Sequence, residues 1–153
     1  MLARGAVCAA LAAALAAVPS PSVTLAVDTF DGGPAPGAAP VVQHRGGDMR
    51  VTGWAADLSV PPFRPLAGVR VLLDGRAVTD AVYGARRDDV ARALAAGSAA
   101  GIDPHVGYSA RFASDELRGG RHTIAFRCGA RSGRWLPCGP AIAIDVVPGG
   151  EAR

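Results

Sequence analysis

The side chains that could do chemistry in this 153-residue chain are three histidines, two cysteine positions near the C-terminus, and a few neighbouring carboxylates. Nucleophilic catalysis needs a nucleophile, a base within reach and a donor for the developing charge. Ser114, Asp115 and His122 form one conceivable trio, but each also fits its local setting as turn serine, turn acid and strand-start histidine. His44 and His105 stand far from any nucleophile signature, and Gly97-Ser98-Ala99-Ala100-Gly101 spaces its glycines wrongly for a nucleophile elbow. Asp103 and His105 offer two metal ligands, with no third placed by spacing. Asp28 and Asp31 beside Gly32-Gly33 lack the further oxygen ligands of a calcium loop. Adjacent Asp88 and Asp89 fall at a helix start, where neighbours point in different directions, so they are expected as caps and not as a paired-carboxylate site. No glycine pattern for phosphate or dinucleotide is present. The chain is therefore expected to hold no catalytic centre, no metal and no cofactor.

Cys128 and Cys138 flank GARSGRWLP, a length that closes a β-hairpin. Their spacing excludes CxxC redox chemistry, and with no histidine nearby they are poor zinc ligands. A disulfide stapling the hairpin is expected, the alternative being two buried thiols. Planar and forked side chains remain as candidates for surface recognition: Tyr83, Arg86 and Arg87 on one segment, and Trp135 with Arg131 and Arg134 in the cysteine-bounded hairpin. Arg87 is expected to hold an acid such as Asp57 or Asp89 in a structural ion pair. Trp54 is expected in the core between sheets, a place open to Tyr83 as well. The candidate contact set is thus Trp135, Arg131, Arg134, Tyr83 and Arg86, with Trp135 at its centre.

Positioning these residues requires a scaffold, and hydrophobic periodicity supplies one. Met1 to Arg4 followed by the small-apolar run Gly5 to Val18 has the form of a signal peptide over residues 1–26, cleaved after Ala26 or, as a second possibility, after Ala17. The run is short for a membrane span, and Cys8 inside it does not end a lipobox. Residues 27–40, rich in Gly, Pro and Ala, are expected as a linker, and 149–153 as a disordered tail. Between them, residues 41–148 carry apolar runs of strand length separated by turn residues. Strands are expected at 41–45, 49–55, 69–73, 76–82, 106–113, 122–128 and 141–147, with Trp135-Leu136 on an edge hairpin. Met49, Val51 and Gly53 alternate against Arg50, Thr52 and Trp54, and Asp74-Gly75 is a strong hairpin dipeptide. One helix is expected at about 87–96, with acids in its first turn. Seven or so strands at this spacing predict an all-β, Ig-like antiparallel β-sandwich with one short helix.

All cations are arginine, since the chain has no lysine, and the net charge is +3. The arginines are scattered among acids, which excludes a nucleic-acid footprint. Gly53-Trp54-Ala55-x-Asp57, Pro65-Leu66-Ala67-Gly68-Val69-x-Val71 with Asp74-Gly75, and Tyr83-Gly84-x-x-Arg87-x-Asp89-Val90-Ala91 resemble a bacterial Ig-like β-sandwich accessory module. Leu117, Gly119-Gly120 and His122 follow that pattern with one residue more between Leu and His. The resemblance spans about Val41 to Val147 and implies an accessory piece of exported or envelope-bound proteins, without a general activity. The chain departs from it in standing almost alone and in its cysteine pair. The expectation is a secreted or periplasmic, non-enzymatic binding or adaptor module of the cell envelope. It would contact an envelope protein or a cell-wall polysaccharide, with no membrane span after signal cleavage. The alternatives are a small enzyme or enzyme inhibitor acting on envelope polymers, and a membrane-anchored structural spacer.

Overall fold

The computed structural model describes residues 23–44, 46–59, 63–96, 102–115 and 117–148. Residues 1–22 of the leader expected over 1–26, the segment 97–101 and the tail at 149–153 lie outside the described residues. Ten strands and one helix follow in order: β1 (Val23–Phe30), β2 (Gly33–Pro34), β3 (Val41–His44), β4 (Asp48–Asp57), β5 (Gly68–Leu73), β6 (Arg76–Asp80), β7 (Val82–Ala85), α1 (Asp88–Ala95), β8 (Gly107–Ala113), β9 (Gly120–Gly129) and β10 (Trp135–Val147). They form two five-stranded sheets, β2-β1-β4-β8-β7 and β3-β10-β9-β5-β6, packed face to face as an Ig-like sandwich. All pairings are antiparallel except β3 with β10, which is parallel. Among the described residues no helix is long and apolar enough to cross a membrane.

Alternation decides what each strand buries. On β4, Met49, Val51, Gly53 and Ala55 face the interior. From the other sheet Val69, Val71, Ile124, Phe126 and Ile144 meet them in one contiguous core. Asp74 and Gly75 both take positive φ, 49° and 80°, as a tight two-residue hairpin turn requires. Gly53 is required by space: a Cβ there would strike the carbonyl of Ala26 and lie 2.9 Å from the Tyr108 ring.

Three expectations are corrected. First, the sandwich begins at Val23 and not at 41, because β1 pairs along β4 from Val23↔Asp57 to Phe30↔Val51. Val23, Leu25 and Phe30 are buried in the core, so the expected linker starts inside a strand, and of it only the turn at 31–32 and residues 35–40 lie outside strands. Second, Trp54 is not the inter-sheet tryptophan. The period that turns Gly53 inward turns Trp54 outward, where it packs with Leu58, Leu94 and Ile102 around Ala56, Val90 and Val106 under α1. Third, 76–82 is not one strand: the chain leaves the second sheet after Asp80 and joins the first at Val82. Trp135-Leu136 opens β10 opposite Gly129 and Cys128 of β9, while β3 pairs only with Ile144–Val147, so this end of β10 is an edge hairpin as expected.

The acids of α1 also differ from their expected role. The N-cap is Arg87, with no side-chain cap bond. Asp88 instead accepts from Arg86 Nε, and Asp89 accepts from Arg87 Nε and Nη2 at 2.9 and 2.7 Å. Arginine thus takes most of the role expected of capping, while Asp89 also accepts from its own and the Val90 backbone N–H in the first turn.

Candidate functional site

β9 and β10 form a hairpin whose turn is closed by Ala130 N–H donating to Arg134 C=O at 2.8 Å. Cys128 and Cys138 are joined below it by a disulfide with Cα atoms 5.9 Å apart, both half-cystines in the core. On the outer face of that sheet Trp135 stands opposite Gly129, and Gly129 opposite Gly68. The missing side chains make room for the indole, whose distal edge rests at 3.4–3.5 Å from where each glycine Cβ would be. Two residues along β5, the Arg70 guanidinium lies over the ring, 4.3 Å from its centroid. Asp80 grips the same guanidinium with two bonds, Nε to Oδ1 at 2.6 Å and Nη2 to Oδ2 at 3.2 Å. That hydrogen-bonded pairing raises Arg70 and lowers Asp80 from their ordinary pKa values. Stacking and bidentate bonding together hold Trp135, Arg70 and Asp80 in one arrangement.

Three more arginines lie on the same hairpin. Arg127 sits between Arg70 and Pro137 in the strand register, and Arg131 and Arg134 occupy the turn. All three are exposed, and none makes a salt bridge or side-chain hydrogen bond among the described residues; Arg131 has one distant acid, Asp103. From His122 to Ile144 the chain has no acid at all. A shallow cleft of 340 Å³ opens beside Trp135, walled by Ala67, Val69, Asp80, Ala81 and Tyr83.

The structure thus brings Trp135, Arg131 and Arg134 together and adds Arg70 and Arg127, which the sequence reading missed. Strand register was the signal that placed Arg127 and Arg70 side by side, and it was not legible without knowing that β5 pairs with β9. Tyr83 and Arg86 are corrected. The Tyr83 hydroxyl donates to Ala55 C=O at 2.7 Å and accepts from Leu66 N–H at 3.0 Å, so its polar end ties three segments together and only its ring borders the cleft. Burial raises its pKa. Arg86 follows the edge strand of the other sheet, with its guanidinium on Asp88. Arg87 pairs with Asp89, as one of its expected acids, and with Asp28; the other, Asp57, bonds Ser59. Asp89 chiefly holds the Arg87 charge above its ordinary pKa.

The conceivable catalytic trio is not assembled. Ser114 Oγ donates to Gly47 C=O at 2.6 Å. His122 Nδ1 faces Asp74 Oδ2 at 2.6 Å and Nε2 faces Arg118 C=O at 2.8 Å, so both ring nitrogens are engaged by acceptors. Asp74 Oδ1 in turn accepts from Thr123 N–H. A wider cavity of 640 Å³ lies beside this group, between β8 and the β5–β6 hairpin, and Asp74 on its wall is already doubly engaged. Asp103 accepts from the backbone N–H and ring of His105 within one turn.

Two acceptors can both be satisfied only by the doubly protonated imidazole. The Asp74 hydrogen bond, and then Arg118 C=O, raise the His122 pKa, while His122 and then Thr123 lower that of Asp74. Histidine with a raised folded pKa stabilises fully below its unfolded value and loses that contribution as pH climbs through the folded one. The Asp74 contribution has the opposite sign: it is present above the ordinary carboxylate value and fades as pH falls through the lowered one. Thermal stability is therefore expected to fall as pH rises above the ordinary histidine value of about 6.5. A His122→Gln variant should flatten that slope in melting curves, and an unchanged slope would remove His122 as its source.

The fold and this face define an all-β, Ig-like sandwich domain with a preorganised aromatic–arginine surface. No protein-family model and no curated protein matches the sequence. Among solved structures the chain is similar to the fibronectin(III)-like modules of Clostridium thermocellum CbhA, at 14% identity and a TM-score of 0.42, over 83% of this chain and 98% of that one. Likeness at that level says nothing of a ligand.

Proposed function

We propose that this chain is an exported, non-enzymatic binding or adaptor module of the cell envelope, which presents the outer face of the β9–β10 hairpin to a protein partner or a cell-wall polysaccharide. The observation that carries it is the Trp135–Arg70–Asp80 stack, with Arg127 beside Arg70 in the strand register and Arg131 and Arg134 in the adjoining turn, none of the three in a salt bridge among the described residues. Tryptophan and arginine held in place lose little freedom on binding, which is what recognition surfaces exploit. Engagement of His122 by Asp74, of Ser114 by Gly47 and of Asp103 by His105 supports a binding role over a catalytic one. The disulfide supports an oxidising compartment. Cleavage of the leader after Ala17 agrees with export, because it leaves β1 whole.

The test is retention of the oxidised protein by envelope protein and polysaccharide fractions of the source organism. Saturable retention by one fraction, weakened by Trp135→Ala and untouched by Asp88→Ala, is the expected result. Absence of retention by either fraction would sink this reading.

A further inference from the structure

The inner strand β8 is covered along only half of one side, and a cavity lies against the bare half. We propose that this half is a second binding site, apart from the Trp135 face, which takes an extended, uncharged segment of another polypeptide as an added strand. Alternation fixes which way the β8 backbone groups point. Val106 C=O accepts from Ala55 N–H, and Ser114 N–H donates to Gly47 C=O. Even-numbered residues of β8 therefore turn their polar groups to β4, and odd-numbered ones turn away. On that far side β7 pairs only with Gly107 to Ser109. The chain enters β7 from Ala81, whose N–H is bound to Val69 C=O of the other sheet, so the line of β7 is not continued past Ser109. The N–H and C=O groups of Arg111 and Ala113 thus face no strand among the described residues, and both residues are exposed.

Such an edge selects backbone. Paired donors and acceptors two residues apart match another extended chain, and a sugar or a lipid offers no such repeat. Register along β8 runs unbroken from Asp48↔Ala113 to Trp54↔Gly107, so no bulge turns an incoming strand away. Across the cleft β6 does carry one, at Val78. In an added strand the residue opposite Phe112 shares its inward face, and the 640 Å³ cavity lies there. Leu73, Val78, Phe112 and Leu117 line that space, and Val78 is 42% exposed. The inward side chain is therefore apolar, while its two neighbours point to solvent. On the rim Arg111 is held by Asp48 and Asp74 by His122, which leaves one further cation, Arg76, and one further anion, Asp115. The rim presents no net sign, so a neutral segment fits it.

The probe is a fluorescein-labelled hexapeptide alternating threonine and valine, titrated by anisotropy against the whole chain. With valine opposite Phe112, the threonine N–H groups face β8. N-methylation of the threonines is expected to weaken binding about tenfold, and N-methylation of the valines to leave it intact. Ala113→Pro removes one outward donor and none from the β4 ladder, so it should also weaken the peptide about tenfold and keep the melting temperature. Amide exchange at Arg111 and Ala113, followed by NMR, should be fast in the free protein and slowed by the peptide. Equal loss from both methylated peptides, full binding by Ala113→Pro, or no binding of the parent peptide would overturn the proposal. Protection of these amides in the free protein would overturn it too. Protection that grows with protein concentration would make a second copy the occupant, and constant protection would assign the edge to this chain's own residues. The Trp135 face enters none of these outcomes, so the two sites stand or fall separately.

Discussion

Replacing Cys128 and Cys138 together by alanine is expected to lower the unfolding free energy by about 3 kcal/mol. The bond joins residues ten apart across adjacent antiparallel strands, and closing a loop of that size removes conformations from the unfolded chain at roughly this cost. Alanine is the right substitute, since serine would add an unpaired hydroxyl at sites that are 0% and 5% exposed. The consequence reaches the candidate site. Trp135 begins β10 directly after the turn, and its seat on Gly129 and Gly68 depends on the hairpin holding register. Urea titrations of the oxidised protein and the double variant, followed by tryptophan emission, measure both effects. A loss below about 1 kcal/mol would mean that the strand ladder alone holds the hairpin.

That hairpin also shows which parts of the fold a sequence displays. Cys128 and Cys138, the Asp74-Gly75 turn and the alternation from Met49 to Ala55 are local signals, and strands, turn and disulfide stand where they point. Alternation was legible on β4 yet misapplied to Trp54, because a tryptophan in a sandwich strand invites a core position even when Gly53 beside it takes the inward slot. The switch at Ala81 leaves no mark, since a strand that changes sheet keeps its extended, β-prone composition. The stack of Arg70 on Trp135 joins residues far apart in sequence through the pairing of β5, β9 and β10, and no local pattern announces it. The arginine-rich turn was visible as composition, whereas its lack of salt bridges among the described residues was a property of the fold.

The deepest misreading was the first strand, and it yields the second large prediction. VTLAVDTF follows an alanine-rich run after only Pro19-Ser20-Pro21-Ser22, so its apolar residues read as the end of a leader and Thr24-Leu25-Ala26 as a cleavage site. In the fold these residues are β1. Val23 and Leu25 are 1% and 3% exposed, and Val23 to Ala26 pair with Asp57 to Trp54. Gly139, in the opposite sheet, packs against Leu25 so closely that a Cβ there would lie 2.6 Å from its Cδ2. A chain starting at Val27 would lose two buried aliphatic side chains, worth roughly 3–6 kcal/mol together, along with half of the β1–β4 ladder. Total stabilities of small domains are about 5–15 kcal/mol, so that chain is expected to be largely unfolded or to melt far below one starting at Val18. Circular dichroism melts of the two versions check this directly, and intact mass of the exported protein should place its first residue at Val18. Equal melting temperatures would show that the first four residues of β1 add nothing to the core, and would make cleavage after Ala26 compatible with the fold again.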